Sequence, residues 1–202
     1  MDNLSTNQKL GIGGVIFAVL FLLFLVGRYW DADYLYARSK TESQFGQYSE
    51  SIKDLRSAIV LTNNEAIYHN EMSRIFSDVI IGFAENNDAT TVAKVIPYVI
   101  NESDTAFRLS PRNMNIRETR ISIFTEMALF NPDYFNDAVK LTKETIPLSP
   151  TDPKILLALG KIYLRMNDNN DAVNAFKKAL VLKPDYQEAI SALQDMKTTG
   201  HK

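Results

Sequence analysis

The sequence predicts an all-α protein in which a single N-terminal transmembrane helix is followed by an α-solenoid of antiparallel helix pairs. Three observations carry this expectation. Leu10 to Val26 is an unbroken apolar run. From residue 32 onward apolar residues recur every three or four positions, and no stretch alternates as a strand does. The tetrapeptide Asn-Asp-Ala-Val occupies 136–139 and returns at 170–173, and the same 34-residue interval separates Pro150 from Pro184. A fixed period of roughly 20 to 50 residues marks a repeat architecture.

The anchor comes first in chain order. At ~1.5 Å rise per residue the apolar run just reaches the hydrocarbon thickness of a bilayer. Lys9 and Arg28 bracket it, and Tyr29 and Trp30 follow at the depth where amphipathic rings favour the interface. Residues 1–9 are therefore read as a tail and 10–30 as an uncleaved anchor. A cleaved signal peptide would have a shorter apolar region ending in small residues, whereas this one ends in Leu-Val-Gly-Arg-Tyr-Trp. Gly14 and Ala18 form a small-xxx-small pair of a kind common in membrane helices, which leaves homo-oligomerisation through the anchor open. Lys9 on one side against Arg28, Arg38 and Lys40 on the other favours a cytoplasmic repeat domain.

The repeat domain follows as helices separated by turn chemistry. Clusters of Gly, Asn, Asp, Ser and Pro, such as Phe-Gly-Gln-Tyr-Ser at 45–49 and Met-Asn-Asp-Asn-Asn-Asp at 166–171, stop one helix and start the next. They divide the chain into units at about 32–65, 66–111, 112–152 and 153–186, with 187–202 as a C-terminal capping helix and tail. The second unit is the longest, so its helices are expected to be extended. Pro97 either bends its helix or marks that helix's start.

Within 153–186 the residue types have packing reasons. Gly160 and Ala172 are small where two antiparallel helices cross, Leu159, Tyr163 and Phe176 fill the space between them, and Pro184 ends the second helix. With Leu156 and Ala179, this spacing closely resembles the tetratricopeptide repeat. The unit near the anchor keeps Gly46, Tyr48, Leu55, Ala58 and Leu61. The unit before Pro150 departs from the pattern, because Thr125 and Glu126 stand in place of leucine and glycine and Thr142 in place of the aromatic. The resemblance implies a non-enzymatic scaffold whose concave face holds a protein or peptide.

A second resemblance concerns context. An aromatic-rich membrane helix leading into Tyr-Ala-Arg-Ser at 36–39, followed by the segments 64–75 and 109–164, looks like the C-terminal tail of bacterial O-antigen ligase or polymerase-like membrane proteins. It implies an alternative function, an accessory domain for surface glycan assembly, on the extracytoplasmic side of a bacterial cytoplasmic membrane. Catalysis in that family belongs to a multi-helix membrane domain, so no catalytic residue carries over.

Composition narrows the chemistry. A net charge of −2 offers no basic footprint for nucleic acid. With no cysteine, thiolate metal sites, disulfides and cysteine nucleophiles are excluded, and the two histidines, His69 and His201, cannot form a paired-histidine metal site. His69 is read as a packed helix histidine, and Asp133, Asp137, Asp152, Asp168 and Asp171 as carboxylates at helix starts. No catalytic residue, metal site or cofactor is expected. The candidate site is a partner groove on the first helices of the pairs. There Arg117, Arg120, Lys154, Lys161 and Arg165 would stand beside Ile123, Phe124, Met127, Leu157 and Leu164, a basic surface with apolar pockets suited to an extended acidic peptide.

Overall fold

The computed structural model describes residues 5–199; the first four residues of the tail and the last three, His201 among them, lie outside the described residues. Helix α1 spans Thr6–Gln44, α2 Tyr48–Leu61, α3 Ala66–Glu85, α4 Ala89–Leu109, α5 Met114–Met127, α6 Tyr134–Thr145, α7 Pro153–Arg165, α8 Asn169–Leu182 and α9 Gln187–Thr199, with a short 3-10 turn at Ile146–Leu148. No strand occurs among the described residues. The chain is an all-α solenoid in which α1 pairs with α2, α3 with α4, α5 with α6 and α7 with α8, and α9 covers the end.

One helix carries both the apolar run and the first arm of the first pair. α1 has 39 residues without a break, ~58 Å of rod at ~1.5 Å per residue. Its start is held by a capping box in which Ser5 Oγ accepts from the Gln8 amide and Gln8 Oε1 accepts from the Ser5 amide. From Leu10 to Val26 its large side chains are exposed except for the half-buried Leu25, and protein first buries it at Ala32. By length and composition this helix is a candidate membrane span.

Two kinds of turn recur along the solenoid, outside the α5–α6 and α6–α7 connections. Between the helices of a pair, Gly46, Asn87 and Asn167 take left-handed backbone with φ of 74°, 59° and 61°. In each case the next amide reaches back to a carbonyl five residues earlier: Gln47 to Glu42, Asp88 to Phe83 and Asp168 to Tyr163. This is the Schellman closure, which glycine and asparagine make at least steric cost. Between successive units, Thr62, Ser110 and Lys183 leave the helical conformation and donate to the carbonyls of Ala58, Ala106 and Ala179 four residues back. All three alanines are fully buried, so the turns sit on close helix contacts.

Pro97 lies inside α4. Asp88 caps the helix by accepting from the Thr91 amide at 3.0 Å, so the helix begins at Ala89 and the proline only removes one interior donor. The extra length of the second pair goes into its helices, 20 residues in α3 and 21 in α4 against 13 in α7 and 14 in α8.

The core is a row of overlapping clusters. Leu55, Ala58, Tyr68, Met72 and Ile75 join the first two pairs, Ile123 and Met127 of α5 pack with Ile80, Val92 and Val99, and Ile162 of α7 packs with Ile121, Phe124, Ala138 and Leu141. Tyr186 and Ala189, next to and within α9, complete the last cluster around Phe176. Each fully buried side chain of this size contributes about 1.5–3 kcal/mol. Because each cluster borrows from the following pair, stability passes between neighbours along the row.

Candidate functional site

The first helices of the pairs, α1, α3, α5 and α7, lie side by side and are bridged by polar side chains. Arg74 of α3 donates to Ser43 Oγ of α1 at 3.1 Å, Asn70 to Thr119 Oγ1 of α5 at 3.3 Å, and Ser77 to Glu126 at 2.5 Å. Arg165 of α7 reaches the Thr125 carbonyl at 3.4 Å. Arg74 also pairs with Glu71 at 2.6 Å and Asp78 at 2.8 Å. Burial, opposed by Arg74 and reinforced by Glu126 and Glu71, raises the Asp78 carboxyl above the ordinary aspartate value. The middle of this face is thus acidic around one guanidinium.

The basic residues expected in the groove divide into two sets. Arg117 turns away from the shared face, donating to the Pro111 carbonyl at 2.7 Å and Thr145 Oγ1 at 3.1 Å and lying 5.2 Å from the Phe107 ring centre. Arg120 pairs with Asp104 at 2.5 Å and Ser103 at 3.0 Å on α4, with its guanidinium over Phe107 and Phe124. Both brace α5 against the second helices. Lys154, Lys161 and Arg165 stand exposed along α7, so the cationic row is confined to that helix.

The apolar residues expected as pockets are mostly core. Ile123, Phe124, Met127 and Leu157 are buried and belong to the core clusters. Leu164 is half-buried and does line a hollow. It shares a space of about 660 Å³ with Asn167 at the α7–α8 turn, Asn170, Val173 and Lys177 of α8 and Leu193 and Lys197 of α9. The hollow and the acidic bridge on α3 and α5 are site features that residue reading missed. A signal existed in Glu126, which occupies the position of the glycine expected there.

His69 is packed rather than free. Its Nδ1 lies 2.6 Å from Glu102 Oε2 and its Nε2 3.3 Å from the Asn63 carbonyl. Burial works against its charged form, but the bonds to Glu102 and Asn63 outweigh it and raise its pKa above the usual histidine value. Among the acidic residues at helix starts, Asp152 accepts from the Lys154 amide at 2.9 Å and Asp168 from the Asp171 amide at 3.2 Å, whereas Asp133 makes no side-chain cap bond. No group of three His, Asp or Glu side chains that could hold a metal occurs among the described residues.

Comparison with known proteins agrees with this architecture. Residues 153–186 match the tetratricopeptide repeat family model. No curated protein matches the chain. Among solved structures, a thermophilic tetratricopeptide protein from Thermus thermophilus is 18% identical, covering 94% of this chain and 96% of that one, with a TM-score of 0.67. The Pseudomonas aeruginosa protein pilF is 17% identical over 87% of this chain and 71% of that one, with a TM-score of 0.63. MamA from Desulfovibrio magneticus is 15% identical over 85% and 86%, with a TM-score of 0.62. At these identities the likeness is one of fold, a tetratricopeptide-type solenoid. The resemblance to O-antigen ligase tails has no support from these matches.

Proposed function

We propose that the chain is a membrane-anchored, non-catalytic scaffold that holds a segment of a partner protein along the α3–α5–α7 face. The fold suggests a protein interaction scaffold, and the bare apolar length of α1, continuous with the first pair, supports anchoring. The observation that carries the groove reading is the row of Lys154, Lys161 and Arg165, exposed beside the hollow at Leu164. Their spacing puts three cations on one face of α7, and they suit carboxylates of an extended segment. The acidic stretch on α3 and α5 would repel that end of the ligand, so the ligand is acidic only where it meets α7.

The test is charge reversal of Lys154, Lys161 and Arg165 to glutamate in the full chain, followed by co-purification in mild detergent. Loss of an associated protein, with helicity and thermal midpoint unchanged, is the expected result. Retention of the same partners would remove the groove on α7. Reversing Arg120 serves as the contrast, since it should lower stability through Asp104 and Phe107 without selecting against a partner.

A further inference from the structure

We infer that the cleft between the exit of α1 and the tip of α2 binds the phosphate headgroup of an anionic lipid; this rests on the reading of α1 as a membrane span. The geometry of the first pair places the cleft. Arg28 Nε donates to the Leu61 carbonyl at 2.5 Å, which pins the C-terminus of α2 level with the end of the apolar run. Phe24, Gly27, Arg28 and Asp31 of α1 and Val60 and Leu61 of α2 line a hollow of about 450 Å³. A second hollow of about 370 Å³ continues past Val60 to Ser57 and Arg56.

The lining is graded as a lipid is graded. Phe24 and Gly27 offer an apolar wall on the membrane side, and Val60, 78% exposed, projects at the rim with no protein cover. Above them stand two guanidinium groups. Arg28 spends one nitrogen on Leu61, and Arg56 is exposed with no ion pair among the described residues. One carboxylate, Asp31, faces them, so the cleft keeps a net positive charge. Because α1 runs unbroken from residue 6 to 44, this tip cannot swing away from the bilayer that holds the helix. Guanidinium groups match phosphate oxygens in pairs, and a polar head with an apolar tail satisfies both ends of the cleft. Zwitterionic headgroups would bring a trimethylammonium against the two arginines and fit less well.

The single tryptophan, Trp30, lies within a turn of Arg28 and Asp31 on α1, 75% exposed, and serves as the reporter. The full chain is placed in vesicles of phosphatidylcholine and phosphatidylglycerol of constant composition, with the chain-brominated lipid being one or the other. Bromine on phosphatidylglycerol should quench Trp30 more strongly, reflecting roughly fivefold enrichment per guanidinium. The excess should fall in Arg56→Gln, survive in Arg56→Lys, and vanish in Arg28→Gln/Arg56→Gln. Arg56→Gln leaves the Arg28 bond to Leu61 intact, so its result does not depend on a disturbed fold. Equal quenching by the two lipids would overturn the headgroup site and leave the anchor standing. No quenching by either would overturn the anchor itself.

Discussion

At the residue scale, Gly160 and Phe176 show how one contact sets a helix crossing. A Cβ at Gly160 would meet three atoms of the Phe176 ring, all within 2.8 Å, and the ring is fully buried and has nowhere to move. Gly160→Ala gains up to ~1 kcal/mol in helix propensity but forces overpacking of about 1–3 kcal/mol, so net destabilisation is expected. Thermal or urea unfolding measures it, and a double-mutant cycle with Phe176→Leu should recover part of the loss. One repeat earlier, Glu126 and Thr142 occupy the corresponding positions. Thr142 is fully buried and donates to the Ala138 carbonyl, so no ring stands opposite and residue 126 is free to carry a carboxylate to Ser77 and Ser122. The departures at these two positions compensate each other.

His69 makes a pH prediction at the same scale. Its folded pKa is raised above 6.5, so protonation favours the folded state. The stabilisation is fully present below the unfolded histidine value and is lost as pH rises through the folded one. The thermal midpoint should therefore fall as pH is raised across the range just above 6.5, and Glu102→Gln should flatten that fall. A slope unchanged by Glu102→Gln would show that the pair does not carry the linkage.

At the scale of the element, legibility followed the sharpness of the pattern. In α7, Leu156, Leu159, Gly160 and Tyr163 mark one packed face, and the remaining face bears the exposed Lys154, Lys161 and Arg165. In α5, Ile116, Ile121, Ile123, Phe124 and Met127 are buried around most of the circumference, because the helix touches α3, α4 and α6. Periodicity then identifies a helix without saying which face looks into the groove. Sequence alone puts Arg117 and Arg120 in the groove, whereas their partners on α4 and α6 draw them towards the second helices. Turn chemistry was legible for a different reason. Gly46, Asn87 and Asn167 sit where left-handed backbone is needed, a requirement that is local and does not depend on neighbouring repeats.

At the scale of the whole molecule, α1 joins the bare apolar rod to the solenoid. Its last thirteen residues, 32–44, are half of the first pair: Ala32, Ser39 and Ser43 are buried, Asp33 bonds to Tyr68 Oη at 2.5 Å, and Arg38 pairs with Asp54. A chain shortened to begin at residue 31 keeps every one of these contacts and loses only the bare apolar rod, together with the Arg28 bond to Leu61. It should fold, stay soluble without detergent, and unfold near the temperature of the full chain in detergent. A chain beginning at residue 46 removes the partner of α2 as well, exposing Leu55, Tyr68 and Met72, each buried to 1% exposure or less. At about 1.5–3 kcal/mol for each such side chain, that loss exceeds what α2 gains by remaining helical alone. Amide exchange should show α2 and the first turns of α3 losing protection while α7 and α8 stay protected, because coupling in a repeat array runs from neighbour to neighbour. Uniform loss of protection from α2 to α9 would instead mean that the solenoid unfolds as one unit, with α1 setting the stability of the last pair as well as the first.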